Sequence, residues 1–275
     1  MFLCNDISLD QYIIGVIGRT WWQLMQLFAV PFALAVALQW VGRRIRRQGV
    51  GKWGGAYWYF VAPGVVCHET GHAVGCLLTG TRIEKFVLFS RKDSDTLGYV
   101  VHESRTGLWG GIASFLIASG PVWFGCMVIG LLTRLLGGVA QIAKYRDYFA
   151  SDAVPRLWEY VCGMLNAVCG FAAALFVDGT WGWGFSVWLY LVFCIASEIG
   201  LSGVDLQAMW RGAVSIALFF LMLNLIPPVG RFVSVGIFII LPYLFKLHVL
   251  MLSALLLNLA LMLVMKPFCG SSSLE

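Results

Sequence analysis

Long apolar runs punctuated by short charged stretches dominate the pattern along this chain. The first run extends roughly from Trp21 to Val41 and ends in the charge stop Arg43-Arg44-Ile45-Arg46-Arg47. A second extends roughly from Trp53 to Leu78. Others cover roughly Leu108–Leu136, Leu157–Val177, Trp183–Ile199, Ala213–Ile226, Phe232–Phe245 and Leu247–Val264. A polar stretch, Glu198–Arg211, precedes the sixth, and Pro227-Pro228-Val229-Gly230-Arg231 breaks the chain before the last two. A helix that is apolar all round belongs in a membrane or a large core. In lipid every backbone polar group needs an internal partner, so these runs are predicted to be helices. The polar stretch Thr79–Thr106 has a different period. Arg82–Phe89 and Leu97–His102 read as strands around the turn Arg91-Lys92-Asp93-Ser94-Asp95, hence a hairpin. The expected fold is an all-α polytopic membrane protein of roughly six to eight transmembrane helices, with a small β-hairpin after the second run.

Composition agrees. Hydrophobic residues make up 60% and charged residues 12%, about half the roughly 25% of soluble domains, and mean hydropathy is +0.82. The net charge of +5 sits in short loops between apolar spans. It reads as topology and headgroup contact and not as nucleic-acid binding. The 12 Trp and 9 Tyr gather near span ends, as in interfacial belts. None of the 8 Cys forms a CxxC pair, and most lie in apolar runs, so they read as small buried hydrophobes. Residues 1–269 are expected to form a single integral membrane domain. Residues 270–275 read as a vector-derived tail, and no cleavable signal peptide is expected at the N-terminus.

One short stretch changes the picture. His68-Glu69-Thr70-Gly71-His72 is an HExxH motif inside the second apolar run. On a helix it places two imidazoles one turn apart on one face, at a spacing that clamps a single metal ion. Glu69 falls beside that ion, where it can accept a proton from water. Ionisable groups at membrane depth are costly and functional by default. Cys67 points roughly 100° from His68 and is not expected to ligate. A catalytic zinc wants a third protein ligand, and the candidates are Asp178, Glu198, Asp205 and His248, with His102 in the hairpin.

The run His68–Gly75, followed by Leu78-Thr79-Gly80-Thr81-Arg82-Ile83-Glu84-Lys85-Phe86, resembles the site-2 protease family of intramembrane zinc metalloproteases. Ala118-Ser119-Gly120-Pro121 resembles that family's next motif, and the similarity is continuous over about Pro63–Phe124. The resemblance implies one Zn2+ per chain, catalytic Glu69, ligands His68 and His72, and an aspartate from a later helix. It implies a transmembrane protein as substrate, the lipid bilayer as surroundings, and a site nearer the cytoplasmic face. The family's Asn-Pro…Asp-Gly motif is not intact here. Ser197–Asp205 keeps its spacing without the asparagine and prolines. Asp178-Gly179 keeps the pair at too long a separation from Asn166, and Asn224-Leu225-Ile226-Pro227 has no acid after it.

Spacing therefore favours Asp205. Crossing parity favours Asp178, because three complete crossings after the hairpin put Asp205 on the wrong face. Asp205 needs one run, foremost Leu157–Val177, not to cross. Thr70, Thr79 and Ser119 are expected to line a water path. Alternative readings are another membrane metalloprotease, a zinc-binding scaffold without activity, and a cation transporter.

Overall fold

A computed structural model describes residues 8–90, 97–136, 157–177 and 182–265. Helix α1 (Leu9–Leu24) passes through a π turn at Met25–Ala29 into α2 (Val30–Trp53), then α3 (Gly55–Thr79). Strands β1 (Ile83–Val87) and β2 (Tyr99–His102) form the antiparallel hairpin, with a bulge between Ile83 and Lys85. Helices α4 (Gly107–Leu136), α5 (Leu157–Val177), α6 (Trp183–Glu198), α7 (Gly203–Asn224) and α8 (Pro227–Met265) follow. Four described helical stretches are long and apolar enough to cross a membrane: Leu9–Trp53, Gly107–Leu136, Gly203–Asn224 and Pro227–Met265. Helix α6 is apolar but shorter.

Three boundaries differ from the pattern in the sequence. Pro227-Pro228 starts a helix instead of only ending one, because proline's missing N–H costs nothing in a first turn. The two last apolar runs are one 39-residue helix that carries Pro242 inside it. The polar stretch before Ala213 is helical from Gly203 onward. Its start is fixed by a capping box in which Ser202 Oγ accepts from the Asp205 amide and the Asp205 carboxylate accepts from the Ser202 amide.

Helices α3 and α4 cross at glycine. A Cβ on Gly71 would stand 2.7 Å from Pro121 Cα, and one on Gly120 would stand 2.3 Å from the Gly71 carbonyl oxygen. Small residues let two backbones approach this closely where no hydrophobic drive separates protein from lipid. The same holds at Gly75 against Ile117 and at Gly212 against Gly111. The main core lies between α2, α3, α4, α6 and α8, around Leu38, Cys67, Val122, Trp188, Ile195 and Met251. Two of the polar groups beside it are tied down. Trp188 Nε1 donates to Thr133 Oγ1 at 3.1 Å, and Asn258 Nδ2 donates to the Ala196 carbonyl at 2.6 Å. Cys67, Cys76, Cys126 and Cys194 are buried free thiols, whereas Cys162 is half-buried and Cys169 exposed.

The path of α6 and α7 along α4 positions the site. Gly184 lies against Leu136, Trp188 against Thr133, Ile195 and Ile199 against Gly125, and Gly212 and Ser215 against Gly111. Both helices thus run antiparallel to α4 in one continued direction. They are two pieces of one interrupted rod, broken at Ile199–Ser202. Residues 136 and 184 meet at one end of α4, so the chain between them begins and ends there. The run Trp183–Ile199 stops part-way along α4, so it is not by itself the full-length segment that the crossing count takes it to be.

Candidate metal centre

His68 and His72 project from the same face of α3, as i, i+4 spacing requires. Each imidazole is oriented by a backbone carbonyl. His68 Nδ1 donates to the Glu198 carbonyl at 2.8 Å, and His72 Nδ1 donates to the Ile117 carbonyl at 2.9 Å. These bonds leave both Nε2 lone pairs facing inward, 3.2 Å apart. Asp205 closes the third side, with Oδ1 3.4 Å from His72 Nε2 and Oδ2 3.7 Å from His68 Nε2. With both imidazoles neutral these ligand atoms repel one another, and a cation at their centre would relieve that repulsion. Ligands held about 2.0–2.1 Å from a tetrahedral zinc stand roughly 3.3–3.4 Å apart, close to the separations observed. The residues present therefore fit a metal ion, and among the described residues this triad is the group that could hold one.

The helix break supplies two of the site's parts. The end of α6 leaves carbonyls without intrahelical partners, and one of them, on Glu198, accepts from His68. The start of α7 carries Asp205 at the third helical position, where its carboxylate caps the helix (2.8 Å to the Ser202 amide) while facing the histidines. Interrupted helices at membrane depth are tolerated where the freed backbone is buried in protein or lines a cavity. Here Gly200, Leu201 and Ser202 line a cavity of about 390 Å3 that reaches His68 and Glu69.

Glu69 lies between the histidines in sequence and is 8% exposed. It accepts no hydrogen bond from a described residue, which leaves its carboxylate available. Above it sits Gly98 of the hairpin, where a Cβ would stand 2.7 Å from Glu69 Cγ and 2.8 Å from the Leu88 carbonyl oxygen. Glycine here lets the hairpin close over the glutamate. Gly98→Ala should displace Glu69 and cut any turnover on the order of 10²-fold, with metal content unchanged. Loss of metal in that variant would show that Gly98 serves the fold.

The remaining candidates lie elsewhere. Glu198 contributes its carbonyl, while its buried carboxylate pairs with Arg46 of α2. His248 is buried on α8, with Nδ1 2.6 Å from the Tyr160 hydroxyl. His102 is on β2, its Nδ1 3.2 Å from the Glu103 carbonyl. Asp178 is outside the described residues. Thr70, Thr79 and Ser119 each donate to a carbonyl of their own helix and do not line the cavity. The wall opposite the histidines comes instead from α2, through Gln39, Arg43, Arg46 and Arg47. In the sequence these arginines look only like a charge stop. No signal there shows that the helix continues to Trp53 and turns them toward the site.

No protein-family model, curated protein or solved structure matches this chain.

Proposed function

We propose that the protein is a zinc-dependent intramembrane endopeptidase of the site-2 protease type. The observation that carries this reading is the convergence of His68 Nε2, His72 Nε2 and the Asp205 carboxylate beside a buried, unpartnered Glu69. The four long apolar helices support a bilayer setting. In this reading α3 also crosses and α6 joins α7 in one interrupted crossing, which brings the total to five. The hairpin end of α3 lies nearer the cytoplasmic face.

His68, His72 and Asp205 would hold the zinc, one per chain. Zinc at such a site lowers the pKa of water to near 7 and polarises a carbonyl. The protein's own groups do the rest. The Glu198 and Ile117 carbonyls fix both imidazoles in the tautomer that ligates through Nε2, a role whose loss typically costs about 10–100-fold in metal affinity. Glu69 accepts the proton from the attacking water and returns it to the leaving amine. The α6–α7 break keeps polar groups along the cavity and admits water to an otherwise apolar bundle.

A transmembrane substrate helix buries its own amides and must unwind before it can be cut. The two-stranded hairpin has outer edges on which an extended chain can add as a strand. Val100 pairs opposite Phe86. Val100→Pro removes a ladder donor and should lower turnover more than thermal stability; equal losses would make the hairpin a brace alone.

The reading is tested by incubating purified protein with transmembrane peptides in lipid vesicles. Cleavage should stop with a zinc chelator and return with added Zn2+. Chelator-insensitive cleavage, or none of any transmembrane peptide by zinc-loaded protein, counts against it.

A further inference from the structure

The cavity beside the triad carries an excess of cationic and donor groups that the metal reading does not use. Arg43, Arg46 and Arg47 of α2 all line it. Arg46 is committed to Glu198. Arg43 and Arg47 form no ion pair with a described residue, and both are exposed to the cavity side of a helix whose other face is core. Two guanidinium groups without an ion-pair partner among the described residues, both in a cavity wall, point to an acceptor that arrives from outside.

From this placement we infer that the cavity is an acidic-peptide subsite: a carboxylate side chain of the substrate, flanking the bond to be cut, binds Arg43 and Arg47. The inference rests on the peptidase reading and names its substrate class. Guanidinium forks match carboxylates bidentately. The cavity is continuous from these arginines to Glu69 and His68, beneath Gly98. One extended chain therefore presents its amide to Glu69 and its acidic flank to α2. This continuity favours a substrate segment over a lipid headgroup, which would need only the arginine rim. The arginines also give the substrate a direction, since an acidic residue on one flank alone satisfies them.

The test is equilibrium binding to the full-length Glu69→Gln protein, zinc-loaded and in detergent micelles. Three fluorescent peptides share one apolar segment, with a Glu pair before it, a Glu pair after it, or Gln pairs at both ends. One acidic peptide should bind about tenfold more tightly than the Gln peptide, the scale of a charge-assisted hydrogen bond. The preference should vanish in Arg43→Gln/Arg47→Gln and return at least in part in Arg43→Lys/Arg47→Lys. That second variant separates lost charge from lost folding. Equal binding of all three peptides overturns the inference, as does a preference that survives the glutamine variant. Arginine-dependent retention of phosphatidylglycerol, without any peptide preference, would make the site a lipid site and also overturn it. If the wild-type protein cleaves none of the peptides while the arginine-dependent preference stands, the peptidase reading fails and the subsite does not.

Discussion

Asp205→Ala should lose zinc. If the roughly 10–16 kcal/mol of a four-ligand structural zinc site is shared evenly among its ligands, removing one weakens binding by about 10²- to 10³-fold. Purified Asp205→Ala should therefore contain far less than one zinc per chain after dialysis against a weak chelator. His68→Ala and His72→Ala should behave alike. Asp205 also caps α7, and an Asn at that position still offers a carbonyl oxygen to the Ser202 amide. Asp205→Asn should thus lose metal while keeping the cap, whereas Asp205→Ala loses about a further 1 kcal/mol of stability. Metal analysis and thermal unfolding on the pair separate the two roles. Stoichiometric zinc in both variants would remove Asp205 from the site.

Glu69→Gln should fold, hold zinc and cleave nothing measurable. The amide is nearly the same size and cannot accept the proton, and general-base catalysis of this kind contributes about 10²–10⁴-fold. Zinc content and unfolding temperature should match the wild type, because Glu69 donates to nothing and accepts from no described residue. Turnover above a few per cent of wild type would assign the proton to another group.

How much was legible in the sequence follows from the range over which each feature acts. The HExxH helix, the hairpin and the apolar segments depend on neighbours within a turn or two, and they appear at nearly the positions read from the pattern. Asp205 was reachable from spacing alone. Counting crossings argued against it, because a count assumes that each apolar run spans the bilayer. The break at Ile199–Ser202 violates that assumption, and nothing in the apolar pattern marks it. Gly200 fits there because its Cα backs onto α2: a Cβ would stand 3.0 Å from Gln39 Cα. That is a long-range packing fact.

The same reason hid the rest. The carbonyls that orient the histidines belong to Ile117 and Glu198, 45 and 130 residues away, and a carbonyl has no sequence signature. Gly71 occupies a variable position of HExxH, yet the Pro121 backbone that crosses it leaves no room for a Cβ. The arginines of α2 read as a stop signal, and only the geometry of α2 beside α6 turns them toward the cavity.

The claim on which the account stands is that a metal ion binds where three side chains converge. An anomalous-difference map from crystals of the full chain, collected on both sides of the zinc edge, tests it most directly. The account predicts one peak per chain, bonded to His68 Nε2, His72 Nε2 and an Asp205 carboxylate oxygen, that disappears below the edge. A map without density among those three residues, in protein shown to contain zinc, would contradict it.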